Sequence, residues 1–514
     1  MGIILKKVLL TQLGLLILWI TTPLSAELAE SYGLGAKAVG FSGAGVASVN
    51  DWSSAFYNMA GVASPMPERS LLGNEEKSEE ASEKIKLLKN DEAPADPEKA
   101  KQDALDQKLT EDLIAREEKP SHQVGMSYLY QASLMNLSPS SPASLKANEN
   151  MNLAKKGASY GAVQMGLIWD LRSILHTPKN LPIKLGLAMS IRDNGTVATV
   201  NDTSVQSYNF MRLGREAQRL LLIPGVGAQV WRNRLSIGVG YNTFTGGKGK
   251  FKMQNVEIDP TGATQVPNAE TQMDLTPSGA PVAGIQYRHN LKKSNRLLMA
   301  GFSWRGEMYM LMDPLHAEAT TQLLAVNLPL RLSILDFYSP HTFTLGFTYF
   351  HDDSLKVSLD GEFQMWSRFM VNSARAEYMQ KIGMTFDKFK NIAIFKLGVE
   401  ARPGKYFEKM RSVPLVTRMG FAFIPAFTPD QTGYSNFLDN SKVAYSLGAS
   451  YSIGSNSVMK APVEITFGFQ HQIWMTRTST KSGEVLTSAE AVNQPDYIYG
   501  AHVLIFTLGS SIKF

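Results

Sequence analysis

From His122 to the C-terminus, apolar and polar residues alternate with a period of two. Val463, Ile465, Phe467 and Phe469 interleave with Glu464, Thr466, Gly468 and Gln470. Val357, Leu359, Phe363 and Met365 alternate with Lys356, Ser358, Asp360, Glu362 and Gln364, and the same rhythm returns in Leu298–Arg305 and Val443–Tyr451. Each run has one apolar and one polar face and about the ~10 residues a tilted strand needs to cross a bilayer. The pattern predicts strands near residues 122–132, 159–171, 182–194, 219–231, 234–247, 277–288, 295–310, 341–350, 355–369, 391–404, 413–426, 442–454, 461–479 and 500–514. A soluble sandwich can show such alternation too, and connection lengths separate the two. Segments after odd-numbered strands are long and those after even-numbered strands are tight, as in outer-membrane barrels whose short turns face the periplasm. The expected fold is all-β: a transmembrane antiparallel barrel of about fourteen strands over residues 122–514, with both chain ends periplasmic.

The final strand sets His502, Leu504, Phe506, Leu508, Ile512 and Phe514 on one face against Thr507, Gly509, Ser511 and Lys513. An apolar last strand ending on Phe resembles the signal read by the bacterial barrel-assembly machinery, an expected partner. Trp169, Trp231, Trp304, Trp366 and Trp474 fall toward strand ends, where interfacial aromatics belong.

Before His122 the pattern changes. Lys6 and Lys7, the apolar run Val8–Ile20 and the small residues up to Ala26 make a secretory signal over 1–26. The apolar run is shorter than the ~20 residues of a spanning helix. Residues 27–67 follow, rich in Gly and Ala and low in bulk until Trp52. Small side chains let backbone pack closely, so this stretch is expected to thread a confined space as a hatch that plugs the lumen. Residues 68–121 form an acidic insert: between Glu68 and Lys119 sixteen acidic residues face ten basic ones. Leu105, Leu109 and Leu113 at helical spacing behind Asp96-Pro97-Glu98 suggest one or two solvated helices in a periplasmic segment. A docking site for a periplasmic partner is the sharper alternative.

Composition narrows the chemistry. The chain has no cysteine, which removes disulfides and thiolate metal sites. A net charge of +5 over 514 residues gives no reason to expect nucleic acid. Mean hydropathy of -0.12 suits a barrel that averages its two faces. Gly33–Ala38 fits G-x-G-x-x-A but has no preceding strand, and Gly157–Gly161 fits G-x-S-x-G but opens a strand instead of an elbow. Gly246–Lys250 is too short for a phosphate loop, and the eight histidines show no metal spacing. No enzyme, cofactor or metal is expected.

Gly33-Leu34-Gly35 and Asn58-Met59-Ala60-Gly61, with Ser303–Glu307, Trp366–Phe369 and Phe423–Asn440, resemble the outer-membrane long-chain fatty-acid transporter family (FadL-type, including aromatic-hydrocarbon channels). The family's Gly-rich hatch ends in Asn-Pro-Ala, and Met59 here replaces the proline. The resemblance implies a fourteen-stranded barrel with hatch residues Gly33, Gly35, Gly43, Gly45, Asn58, Met59 and Ala60. It implies capture by extracellular loops, transfer to a site at the hatch, and lateral exit through a kink in the third strand, matched by Arg192-Asp193-Asn194-Gly195. Candidate ligand contacts are Phe244, Lys248, Lys250, Phe251, Arg305, Met308 and Met310, the basic ones for a carboxylate; solvated lysines or an Arg305–Glu307 ion pair are the plainer reading. The expected function is passive uptake of hydrophobic compounds, most of all long-chain fatty acids, by a monomer with outer-membrane lipid around it. The alternative is a barrel acting as adhesin or docking platform through its surface loops.

Overall fold

The computed structural model describes residues 31–64, 120–139, 159–174, 182–192, 209–210, 221–231, 234–244, 248–253, 256–257, 265–266, 269–274, 278–291, 296–320, 327–351, 354–369, 389–410, 413–432, 437–454, 461–481 and 496–514. The expected signal segment and residues 68–119 of the insert lie outside these.

Fourteen antiparallel strands close into a barrel in sequence order. They are β1 Gln123–Pro139, β2 Tyr160–Asp170, β3 Ile183–Arg192, β4 Leu221–Trp231, β5 Leu235–Phe244, β6 Ser278–Leu291, β7 Arg296–Arg305, β8 Thr342–His351, β9 Leu355–Gln364, β10 Ile392–Ala401, β11 Leu415–Ile424, β12 Lys442–Ile453, β13 Val463–Ser479 and β14 Tyr497–Lys513. Each overlaps one expected from the alternation. The seam is β1 with β14, paired from Gln123↔Lys513 to Pro139↔Tyr497. His122 and Phe514 exchange backbone hydrogen bonds at its foot, 2.6 and 2.9 Å. Both strands run further than the alternation suggested, because in their upper parts they pair with each other. Two hairpins extend the long connections, Lys248–Met253 with Ala269–Asp274 and Met308–Thr320 with Asn327–Ser339.

The outer face is a belt of exposed apolar residues, among them Met126, Tyr128, Val239, Leu345, Phe347, Met419, Leu447, Phe467 and Leu508. No helix among the described residues is long and apolar enough to cross a membrane. A closed ladder satisfies the barrel's backbone internally, which lipid requires, so this wall spans a bilayer by strands. Of the five tryptophans expected at the interfaces, Trp366 and Trp474 instead are buried. Trp474 alternates inward, under the Lys442 ammonium 3.8 Å from its ring.

Residues 31–64 lie inside this wall. They comprise two short helical turns, Ala36–Val39 and Ser54–Tyr57, and a 3-10 turn Met59–Val62. Leu34, Ala47, Ala60 and Ala63 are fully buried. On twelve strands an inward-facing glycine meets this segment so closely that a Cβ would press on it: Gly125, Gly166, Gly186, Gly225, Gly238, Gly284, Gly301, Gly346, Gly398, Gly420, Gly448 and Gly468. The register lines them up, Gly125 beside Gly166, Gly301 beside Gly346, Gly398 beside Gly420 and Gly448 beside Gly468. The result is a belt of bare backbone around the lumen, into which the N-terminal segment fits. On β9 the belt is replaced by Asp360.

Candidate functional site

The segment is tied to the wall by side chains aimed at its backbone. Gln164 of β2 accepts from Gly35 N at 2.8 Å and donates to Gly33 O at 2.9 Å. Asp360 Oδ2 accepts from Gly45 N and Val46 N, 2.7 and 2.9 Å. Gly35 and Gly45 stand at φ +84° and +111°, conformations that favour glycine and that turn their N–H groups toward these acceptors. Gln286 of β6 donates to the carbonyls of Val46 and Val49, Gln229 of β4 to Ala63 O, and Gln472 of β13 to Ser31 O.

Asn58 works as a bracket. Its Nδ2 donates to Val46 O within the segment and to Ile285 O in the wall, 2.9 and 3.1 Å, while its Oδ1 caps the following turn by accepting from Ala60 N. Met59 comes next, fully buried, with its thioether end over Gly225 of β4 and Gly240 of β5. A long flexible side chain fills a glycine-lined recess at this position.

The lumen around the segment has two characters. Toward β2 to β6, Trp52, Phe56, Met59 and Val62 pack with Ile168, Ala188, Leu221, Ile223 and Val282 in one apolar cluster. Toward β9 to β13 the wall is ionic. Lys37 pairs with Glu464 at 2.7 Å, Arg418 with Glu400 at 2.7 Å and Lys396 with Glu362 at 2.7 Å. Arg305 of β7 stands where the two meet, its guanidinium 4.5 Å from the Phe56 ring. On the side of the long connections, a small cavity is lined by Phe56, Tyr57, Arg305, Asp360, Glu362 and Lys396 among others.

Solved structures share this architecture. The crystal structure of a FadL homologue from Pseudomonas aeruginosa is similar over 93% of this chain and 98% of its own, at 12% identity and a TM-score of 0.50. The fold is that of the FadL-type barrels. The toluene transporter TodX of P. putida (10% identity, 94% of this chain and 99% of that one, TM-score 0.45) and the CymD monoaromatic hydrocarbon channel (11%, 79% and 92%, 0.39) are similar at lower scores. No family model matches the chain, and no curated protein matches it in sequence. A closed, even-stranded FadL-type barrel with an apolar outer belt sits in the outer membrane of a Gram-negative bacterium.

Above the cavity of this FadL-type barrel, the three motif segments converge. Trp366 stacks on Phe427 with centroids 3.7 Å apart and planes 7° from parallel, and Phe389, Ile392, Ile394 and Phe437 complete a buried cluster with Phe369 and Tyr338 at its edge. Glu307 sits beside it, accepting from Tyr338 Oη at 2.8 Å and pairing with Arg368 at 3.0 Å, while its N–H donates to His341 Nδ1. Burial, with the Glu307 carboxylate close by, pushes the Tyr338 hydroxyl above its ordinary range. Through these contacts Glu307 joins the loop cluster, while Arg305 lines the cavity. Outside the cluster, Arg477 binds Asp430 at 2.6 Å and holds that carboxyl below the usual carboxylate range by hydrogen bond and charge.

The expected ligand contacts are only partly gathered. Arg305 lines the cavity, and Met308 is buried at the base of its hairpin. Lys248, Lys250 and Phe251 lie on the strand paired with Ala269–Asp274, Phe244 ends β5 and Met310 sits opposite Phe337; the side chains of these five are outside the described residues. Arg192 ends β3, and Asp193, Asn194 and Gly195 are outside the described residues.

Proposed function

We propose that this barrel is a passive channel for hydrophobic compounds, with residues 31–64 as its hatch. The observation that carries the reading is the two-sided lumen: a wall of apolar side chains on β2 to β6 runs beside the hatch in a barrel whose other side is ionic. A water-filled pore for polar solutes has no use for that apolar side, whereas a greasy molecule gains by following it out of water. The hatch closes the lumen to polar solutes, the aromatic cluster at Trp366 and Phe427 receives the ligand from outside, and the cavity above Phe56 and Tyr57 holds it against the hatch. Lateral exit into lipid follows; Arg192–Gly195 is the sequence-derived position for it. What the FadL homologue and the hydrocarbon channels share with this chain in fold agrees with that cargo class. The chain acts as a channel and not as an enzyme.

Within that class, a long-chain fatty acid suits the site because Arg305 offers a cation at the edge of the apolar cluster. Replacing Arg305 by Ala is expected to weaken oleate binding about tenfold, the equivalent of ~1.4 kcal/mol from one charge-assisted contact, and to leave toluene binding unchanged. Equilibrium binding of both ligands to purified protein checks it. Equal loss for both assigns Arg305 to positioning Phe56, and no loss for oleate removes the carboxylate role.

A further inference from the structure

The ladder between β4 and β5 skips a step. Leu222 pairs with Thr243 and Gly225 with Gly240, but Ile223 and Pro224 form no pairs with Asn242 and Tyr241 opposite them. The direction of the missing bond follows from the neighbouring strand. Pro281 of β6, opposite Tyr241, turns its carbonyl toward β7, where it accepts from Gly306 N at 2.8 Å. In an antiparallel sheet bonded and non-bonded pairs alternate, so Tyr241 directs its own N–H and C=O to β4. Its partner there is Pro224, which has no N–H to give. One inter-strand bond is therefore missing by composition, at membrane depth, between strands whose outward residues Val226, Val239 and Tyr241 are exposed.

The lumen side of the same step is covered by the hatch. Met59 lies over Gly225 and Gly240, and Asn242, one step toward the cavity, is 5% exposed with no partner for its Oδ1 among the described residues. The hatch's first half is pinned by Lys37–Glu464 and by Asp360, and its second half, from Ser54 on, is held by the apolar cluster with the Asn58 and Gln229 hydrogen bonds. β3 pairs in register with β2 from Lys184 to Arg192 and with β4 from Ile183 to Ser190, and residues 193–208 beyond it lie outside the described residues.

We propose that the ligand of this channel leaves the lumen between β4 and β5, with Met59 as the latch; this rests on the channel reading above. The missing bond lowers the cost of parting these two strands, and Met is a side chain that yields to varied shapes. The ligand displaces the Met59 thioether from its glycine recess, passes Asn242, whose oxygen accepts a hydrogen bond from a protonated carboxyl or hydroxyl, and reaches lipid beside Tyr241.

The absence of cysteine allows a direct test with introduced thiols. Val226→Cys with Val239→Cys places two thiols on the outward face across β4–β5, beside the step, and Val163→Cys with Ile191→Cys places two across β2–β3. Uptake of labelled oleate is measured in cells carrying each form, oxidised and then reduced, beside wild type and empty cells. Oxidation of the first pair is expected to bring uptake to the empty-cell level and reductant to restore it, while oxidation of the second pair changes nothing. Pro224→Val returns the missing N–H and is expected to slow uptake about tenfold, the kinetic weight of ~1.4 kcal/mol. Normal uptake through the oxidised first pair overturns the β4–β5 exit while the channel reading stands, and block by the second pair alone moves the exit to β3. Wild-type uptake no better than in empty cells overturns the channel reading, and the exit with it.

Discussion

At the scale of single residues, the inward glycines decide what the lumen can hold. Gly301 shows how: a Cβ there would stand 2.5 Å from the Ala47 Cα, backbone that has nowhere to retreat because Gln286 and Asp360 grip Val46. Gly301→Leu is expected to leave barrel insertion intact, since the outer belt and ladder are untouched, and to push the hatch out of register. Single-channel conductance checks it: the variant passes ions that the parent protein excludes. Met59 belongs to the same scale. A proline would fix φ and keep the turn rigid; Met keeps the Asn58 bracket and adds a side chain that reaches the wall. That Asn58 and Met59 mark a special turn could be read in the sequence. Which wall glycines receive Met59 could not, because the contact joins residues more than a hundred positions apart and only the barrel register brings them level.

Among elements, the strands were the most legible, since a period of two follows from the geometry of a pleated chain with lipid on one face. All fourteen positions predicted by alternation carry a strand. The glycine belt was present in the same runs, as Gly238, Gly301, Gly346 and Gly468 at polar-phase positions, and alternation alone treats them as ordinary polar-face residues. Loop architecture was not legible. Trp366, Tyr338 and Phe427 come from three separate connections, and nothing local in any of them specifies the other two. The stack of Trp366 on Phe427 also holds the loops together. Trp366→Ala is expected to destabilise that layer by about 3–5 kcal/mol, the usual cost of a large-to-small change in a packed aromatic core. Protease nicking of the long connections in intact cells checks it, nicking rising in the variant while the barrel strands stay protected.

For the whole molecule, the contacts that anchor residues 31–64 and close the barrel lie outside the acidic segment. Gln229 holds the end of the hatch through Ala63 O, and the barrel begins where His122 meets Phe514. Neither anchor uses a residue between 70 and 118. Deleting 70–118 is accordingly expected to leave folding and oleate uptake unchanged, measured by heat-modified mobility of the barrel on gels and by uptake in cells; lost uptake with normal mobility would assign the insert a partner. The glycine belt has a further consequence for how the molecule is made. At that level the strands contribute no filling of their own, so a sheet that rolled up empty would close around a ring of naked peptide groups. Residues 31–64 thus stand where a mandrel would, and a wall closed without them would enclose that ring unfilled.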